Sequence, residues 1–370
     1  MSRCNVLYVM SDLNRCNGIT TFAMNYFRNI DTSKVKIDFV ITTDDVDDEY
    51  RKEIEDRGSK IYVVEYNNDS LISNVSRIKK FIKDNAHNYD IIHSQLINKG
   101  YFYLKYAKKY GIKKRILHSH NTTLGDGNVI KQIVNQIFRY LAIKNANTYF
   151  ACTDIAGKYL FGNRKFTIIK NAFDVSKFKY NEKARKQLRK ELEIEDNVVM
   201  LQVGRLDYQK NPHFSLELVK KLKNEIPNIK LIFAGTGKYL DDLKRVVNEE
   251  KLSKEVMFLG LRDDISSLYS ASDIFIFPSR FEGLGLVAVE AQISGLPCYL
   301  SSEVPHDTKI CDKVCYLPLN DIDLWVDTII KTYKQSDRHD GSLNAQKKHY
   351  DIASEVKNLE NEYELLAGDK

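Results

Sequence analysis

The sequence predicts an α/β protein built as two doubly wound domains in tandem. Three observations point there. Short apolar runs bounded by turn residues alternate with segments of helical periodicity, the pattern of βαβ units. That series starts twice, each time with an unbroken apolar run. The chain also has 370 residues, too many for one ordinary α/β domain and enough for two cores.

The first series opens with Val6-Leu7-Tyr8-Val9-Met10, a buried strand that ends in a polar loop holding Asn17-Gly18. A helix is expected over about 19–30. Strands follow at Ile37 to Thr42, Ile61 to Val64, Ile91 to His93, Arg115 to His118 and Thr148 to Cys152, with a short one at Thr167 to Ile169. Helical patterns fit between them, for example Leu71 to Asp84 and Lys99 to Lys109. After Asn171-Ala172-Phe173-Asp174 the texture changes. Residues 181–193 form a highly charged helix, and Val198 to Val203 opens the second series. Its further strands are Lys230 to Ala234, Val256 to Phe258, Ile274 to Phe277, Cys298 to Ser301 and Val314 to Tyr316. Helices are expected at 212–225, 239–251, 264–271, 285–294, 322–334 and, at the end, 351–366. The domains are therefore 1–175 and 176–350, joined near 174–180. Ligands of doubly wound sheets sit outside the carboxyl ends of the strands, so two such sheets facing across a cleft would place the site between them.

Composition narrows the class. Hydrophobic residues make up 43 % and charged residues 29 %, as in a soluble globular protein. The apolar part of the first ten residues is too short for a signal peptide, and Asp12 and Arg15 break it. No run approaches the roughly 20 apolar residues that span a bilayer. A cytoplasmic protein is expected. Of six cysteines only Cys311 and Cys315 are close, and no second pair or neighbouring His completes a zinc pattern. They read as reduced thiols packed like small hydrophobes. The net charge of +6 is uneven: residues 1–190 carry +15, residues 191–370 carry −9, and 101–190 alone carry +16. A basic half suggests that one lobe meets an anionic surface or ligand.

The strongest chemical signal is Phe277-Pro278-Ser279-Arg280-Phe281-Glu282-Gly283-Leu284-Gly285-Leu286, which leaves a buried strand and opens a helix. Gly283 and Gly285 let backbone approach a ligand, and the helix start offers unpaired N–H groups to phosphate or hydroxyl oxygens. Glu282 stands before the helix, within reach of hydroxyls; Glu290, inside it, could clamp a ribose diol. The bland alternative is a capped amphipathic helix with solvated carboxylates. The second signal is Gly204-Arg205-Leu206-Asp207-Tyr208-Gln209-Lys210, on the first strand-to-helix turn of the second domain. A guanidinium can grip two phosphate oxygens while an ammonium adds a point charge. Arg205 and Lys210 could thus neutralise a leaving diphosphate, a role otherwise met by a divalent metal. Gly235-Thr236-Gly237 lacks the third glycine of a dinucleotide fingerprint, Leu240 standing there, and reads as a tight loop lining the cleft. In the first domain, Leu117-His118-Ser119-His120-Asn121 and Asn17-Gly18 both follow strands.

In order and spacing, these residues resemble a family 4 glycosyltransferase of the GT-B fold, two Rossmann-like domains facing across a cleft. The nearest branch builds bacterial capsular and exopolysaccharide repeats. The resemblance implies a nucleotide-sugar donor, with UDP the default nucleotide, a glycan or lipid-pyrophosphate-linked acceptor, and no cofactor or metal. Arg205 and Lys210 would hold the diphosphate, Glu282 the transferred sugar and Glu290 the ribose. Gly204, Gly235 and the backbone of Gly283, Leu284, Gly285 and Leu286 would line the donor site. His120 would be the active-site histidine, Gly18 would sit by phosphate and acceptor, and the terminal helix 351–370 would cross back onto the first domain. Three positions depart from the family pattern: Asn17 replaces the first glycine of a Gly-Gly, Ala172 replaces a glycine, and Ser301 to Pro305 lacks paired glycines.

The implied reaction keeps anomeric configuration, by front-face substitution with an oxocarbenium-like transition state. Asp45-Val46-Asp47 spells a metal motif but lies in the acidic run Asp44 to Glu49, which reads as a solvated loop. Residues 129–144 set Val129, Ile130, Ile133, Val134, Ile137, Phe138 and Leu141 beside Lys131, Arg139 and Lys144. Two readings stay open for them: an interfacial helix on anionic lipid, placing the protein peripherally on the inner membrane face, or a core-facing helix with a solvated face. Rival functions are a UDP-sugar 2-epimerase on the same fold and an anion-binding module for nucleic acid. Against the latter, Tyr101, Tyr103, Tyr106 and Tyr110 read as a helix face, so no nucleic-acid partner is expected.

Overall fold

A computed structural model describes residues 3–15, 17–67, 69–120, 129–335 and 338–368. The chain divides into two compact units, Met1–Phe173 with Asp351–Lys370, and Asp174–Tyr350. Unit 1 holds strands β1 (Cys4–Met10), β2 (Val35–Ile41), β3 (Ile61–Val63), β4 (Ile91–Ser94), β5 (Lys114–Ser119), β6 (Thr148–Ala151) and β7 (Thr167–Ile168). Its helices are α1 (Gly18–Asn29), α2 (Asp48–Asp56), α3 (Leu71–Asn85), α4 (Gly100–Lys109), α5 (Val129–Asn145) and α6 (Asp154–Phe161). Unit 2 holds β8 (Val198–Val203), β9 (Ile229–Ala234), β10 (Val256–Gly260), β11 (Ile274–Phe277), β12 (Cys298–Ser301) and β13 (Val314–Leu317). Its helices are α7 (Glu182–Glu191), α8 (Pro212–Leu222), α9 (Leu240–Glu249), α10 (Ile265–Ala271), α11 (Leu286–Ile293), α12 (Ile322–Thr332) and α13 (Ser342–Lys347). The last helix, α14 (Ile352–Gly368), belongs to unit 1.

Both sheets are parallel and doubly wound, in the orders β3-β2-β1-β4-β5-β6-β7 and β10-β9-β8-β11-β12-β13. Strand order therefore reverses between β1 and β4 in unit 1, and between β8 and β11 in unit 2. The unbroken apolar runs follow from burial on two faces. Val6, Tyr8 and Met10 enter one core while Leu7 and Val9 enter the other. Met200 likewise faces one core of unit 2, and Val199, Leu201 and Val203 the other.

The chain returns to unit 1 beside the point where it left it. Phe173 pairs with Asp351, and the Ile352 N–H donates to the Phe173 carbonyl at 3.0 Å. From there α14 buries Val356, Leu359 and Tyr363 against the core containing Tyr8 and Phe22. This return levels the charge expected to split the molecule. Segment 351–370 brings six acidic and two basic side chains to the basic lobe, and the basic stretch 174–190 belongs to unit 2. Counted by folded unit, the net charge is +6 and zero.

Helices α2, α6 and α13 escape the sequence reading. The first of these limits the solvated-loop reading of the acidic run to its first half: Asp44 and Asp45 are exposed loop residues, while Asp48 and Glu49 open α2. Asp47 caps α2 by accepting from the Glu49 and Tyr50 N–H groups, and Arg15 pairs with it at 2.7 Å. Carboxylates at a helix start are stabilising, so Asp47 to Glu49 are a helix signal. Asp45 accepts from Asn14 Nδ2 in the preceding loop. The described cysteines carry no disulfide.

Candidate functional site

The two strongest motifs of unit 2 lie 72 residues apart and meet because β8 and β11 are neighbours. The loop after β8 and the loop after β11 leave the carboxyl ends of the two strands at the reversal of strand order, where doubly wound sheets bind ligands. Side chains stitch the loops together. Gln209 donates from Nε2 to the Phe281 carbonyl at 3.1 Å, and its own carbonyl accepts from the Arg280 N–H at 2.8 Å. Arg280 also donates to Asn211 Oδ1 at 3.0 Å and lies over the Tyr208 ring.

Lys210 and Glu282 form the centre of this arrangement. Their Nζ and Oε1 atoms are 2.7 Å apart, with side chains only 13 % and 6 % exposed. The ammonium also sits 4.5 Å from the centroid of the Phe277 ring, a cation–π contact. The cation expected to meet phosphate is thus already balanced by the carboxylate expected to meet sugar. Arg205 differs. Its side chain is 56 % exposed and is held by Asp207 at 3.5 Å and Gln209 at 3.1 Å. Glu290, one turn inside α11, accepts from the Tyr269 hydroxyl at 2.9 Å. Burial pushes its carboxyl up to about 7, and the Tyr269 bond pulls the other way.

The glycines divide by physical cause. Gly285 is left-handed at φ 83°, and a Cβ there would lie 2.9 Å from Phe277. It lets the chain turn from the buried Leu284 into Leu286 at the start of α11. Gly235 and Gly237 serve packing instead. A Cβ on Gly235 would stand 2.0 Å from the Gly204 carbonyl oxygen, and one on Gly237 would stand 2.5 Å from that of Leu206. Gly235 thus lets the loops after β8 and β9 touch backbone to backbone, which accounts for it without a ligand. Gly204, at φ 135°, has the Lys210 stem against it. Gly283 is half-buried between the buried Glu282 and Leu284.

In unit 1, Asn17 explains its place where the family pattern has glycine. Its Oδ1 caps α1 by accepting from the Ile19 N–H, and its Nδ2 donates to Asp12. Gly18 is exposed at the start of α1, and a Cβ there would meet nothing. His120, just beyond β5, is 8 % exposed. It bonds through Nε2 to Gln95 Oε1 at 2.6 Å, stacks on His118 at 4.1 Å and meets the edge of Phe22. Burial lowers its pKa to about 3, so the ring is neutral. Asn121 lies outside the described residues.

Sequence reasoning missed Gln95, His93 and Tyr269, and gave no role to Phe277 and Ser279 inside the motif it singled out. The last is fully buried, with a hydroxyl that has no partner among the described residues. Its signal was its position one residue before Arg280 in a loop leaving a strand. The tyrosines of α4 bear out the helix-face reading: Tyr103 is fully buried, and Tyr101, Tyr106 and Tyr110 pack against the same core.

Residues 16–177 match the family described as Glycosyltransferase Family 4, and residues 184–348 match Glycosyl transferases group 1. EpsF of Bacillus subtilis (strain 168), named as a glycosyltransferase, is 31 % identical over 340 residues, covering 89 % of this chain and 88 % of EpsF. An Escherichia coli UDP-Gal:alpha-D-GlcNAc-diphosphoundecaprenol alpha-1,3-galactosyltransferase is 29 % identical over 71 % of this chain and 69 % of its own. Among solved structures, HepE of Anabaena in complex with UDP superposes with a TM-score of 0.79 at 17 % identity, covering 98 % of this chain and 100 % of HepE. Two parallel Rossmann-like units, kinship to EpsF over 89 % of the chain and both family matches lead to one conclusion: the chain belongs to the family 4 glycosyltransferases of the GT-B fold.

Proposed function

We propose that the chain is a retaining, metal-independent transferase that moves a hexose or N-acetylhexosamine from a UDP-sugar onto a lipid-linked polysaccharide acceptor. The observation that carries this reading is the buried Lys210–Glu282 pair beside Arg205 at the strand-order reversal of unit 2. Arg205 and Lys210 take the diphosphate, Glu282 turns to sugar hydroxyls, Glu290 clamps the ribose, and the backbone from Gly283 to Leu286 meets phosphate and sugar oxygens. The acceptor oxygen bonds to the anomeric carbon on the face from which the phosphate oxygen departs. The acceptor proton passes to that phosphate oxygen, and the two cations stabilise the charge it carries away.

The donor reading draws on the UDP complex of HepE, and the acceptor reading on the diphosphoundecaprenol acceptor in the galactosyltransferase's name. It also draws on α5, which exposes Ile133, Val134, Ile137 and Tyr140 while burying Ala142 and Ile143. Helix α4, packed against it, carries exposed Lys105, Lys108 and Lys109. Both readings of the amphipathic stretch therefore find residues: one face packs inward and another is apolar and exposed. Apolar side chains beside lysines suit the surface of an anionic bilayer. Among the described residues no helix is long and apolar enough to cross a membrane.

Mass spectrometry of a nucleotide-sugar panel (UDP-glucose, UDP-galactose and UDP-N-acetylglucosamine) in EDTA tests the donor reading. The expected result is loss of one donor with release of UDP. Isomerised donor without UDP release would favour a 2-epimerase, and activity only with added divalent metal would overturn metal independence. Sedimentation with phosphatidylglycerol vesicles tests the membrane reading, which fails if binding ignores anionic lipid.

A further inference from the structure

A chain of buried hydrogen bonds runs from the C-terminal helix to the strand-end histidines. Tyr8 Oη lies 2.8 Å from Tyr363 Oη, and Tyr363 Oη lies 2.7 Å from His93 Nδ1. His93 Nε2 then lies 3.1 Å from His118 Nδ1. All four side chains are at most 1 % exposed. Burial holds both imidazoles neutral, so each carries one proton.

Counting protons gives the chain a direction. If Tyr8 donates to Tyr363, then Tyr363 donates to His93 Nδ1, and His93 donates from Nε2 to His118 Nδ1. Every proton between them is used, and His118 keeps its own on Nε2. In the reverse order Tyr363 donates to Tyr8, whose own buried hydroxyl proton then finds no acceptor among the described residues. Among the described residues the first order leaves one buried group unmade, the His118 Nε2–H, whereas the reverse leaves two, the Tyr8 O–H and a bare His118 Nε2; at about 1–3 kcal/mol for a buried group left unmade, this selects the first order.

The chain ends among unpartnered atoms. His118 Nε2, His120 Nδ1 and Gln95 Nε2 are buried and have no hydrogen-bond partner among the described residues. Gln95 Oε1 can only accept, so His120 carries its proton on Nε2 and leaves Nδ1 a bare acceptor. Two donors and one acceptor thus stand at the carboxyl ends of β4 and β5. An O–H group satisfies such a set by accepting from one and donating to another. Buried polar groups are rarely left without partners, and this concentration of them points to a ligand group.

We propose that Tyr363 is a positioning residue: acting through His93, it fixes the tautomer of His118, and so the donor–acceptor pattern that His118, His120 and Gln95 offer to one sugar hydroxyl of the substrate. The proposal rests on the transferase reading for its substrate, but the proton order stands on hydrogen-bond geometry and burial without it.

Nitrogen-15 NMR of histidine-labelled protein tests the proton order, with the His118 signals assigned by their loss in His118→Gln. The wild type is expected to show His118 protonated on Nε2. Tyr363→Phe removes the donor to His93 and should give His118 mixed or reversed protonation, with the KM of the turned-over nucleotide sugar raised about five- to tenfold. Tyr8→Phe removes an equally buried hydroxyl yet leaves Tyr363 able to donate, so tautomer and KM should hold. A wild-type His118 protonated on Nδ1 overturns the proposal, even if Tyr363→Phe does not fold. So does an equal rise in KM in the two tyrosine variants, which marks a purely structural role. If no nucleotide sugar in the panel turns over, the transferase reading fails, while the wild-type spectrum still decides the proton order.

Discussion

The same architecture carries two strand-end sites of opposite electrical character. In unit 2, a lysine and a carboxylate are buried together with an exposed arginine beside them. In unit 1, three neutral histidines and a glutamine are buried with several polar atoms unpartnered. Topology places the unit 2 site between β8 and β11, where strand order reverses, and the unit 1 site at the carboxyl ends of β4 and β5, one strand beyond the reversal between β1 and β4. It does not explain their chemistry. Charge survives in unit 2 because each ion meets its counterion, and it is excluded from unit 1 because a histidinium there would be stripped of water with no anion beside it.

The comparison breaks most visibly at Lys210. Lys210→Met should lower kcat roughly 100- to 1,000-fold by removing charge stabilisation from the departing phosphate. It should also cost about 3–5 kcal/mol of stability, because the buried Glu282 carboxylate loses the Lys210 ammonium 2.7 Å away. The double variant Lys210→Met/Glu282→Leu separates these losses: stability should largely return and activity should not. Near-normal turnover by either variant, measured as UDP release, would remove the electrostatic account of the site. Arg205→Ala comes next. Its side chain is 56 % exposed, so stability should hold within about 0.5 kcal/mol. Its kcat should fall roughly 10- to 100-fold, a purely functional loss that sharpens the contrast with Lys210.

Much of the molecule was legible in its pattern of apolar residues, for reasons the structure makes plain. Strands buried on two faces read as unbroken apolar runs, so β1, β8 and β11 stood out. The Glu282 turn was legible because Gly285 must be left-handed and close to Phe277. What escaped depends on pairing between distant segments. That Lys210 would be neutralised by Glu282, 72 residues on, follows from the neighbouring of β8 and β11. The packing of Gly235 against the Gly204 carbonyl was not legible, because that neighbour belongs to another loop. The charge contrast between the chain halves shrinks for the same reason, since α14 folds its carboxylates back onto the basic lobe, which keeps a net +6. Gln95 and His93 offered no motif at all; only the sheet sets them beside His120 and His118.

The smallest effect is a pH dependence of opposite sign in the two units. In unit 2, Glu290 has its pKa raised to about 7 by burial, while an unfolded glutamate titrates near 4.5. Between these values the folded state binds the extra proton, so stability is highest on the acid side and is lost as pH rises toward 7. In unit 1, His120 is lowered to about 3 against an ordinary 6.5, and His93 and His118 are lowered as well. Here the unfolded state takes up protons first, so stability is lost as pH falls below 6.5. At pH 5 the loss from His120 alone is about 2 kcal/mol, with Glu290 contributing about 1–2 kcal/mol in the other direction across pH 5 to 7. Trp325, the single tryptophan and buried in unit 2, reports that unit's urea unfolding by fluorescence. Amide exchange of β4 and β5 reports unit 1. Unit 1 should weaken from pH 7 to pH 5 while unit 2 strengthens. Glu290→Gln should flatten the second trend only, and His120→Gln should reduce the first only. Parallel slopes in the two units would show that these buried groups do not differ as their surroundings dictate, and the electrostatic contrast between the sites would be lost.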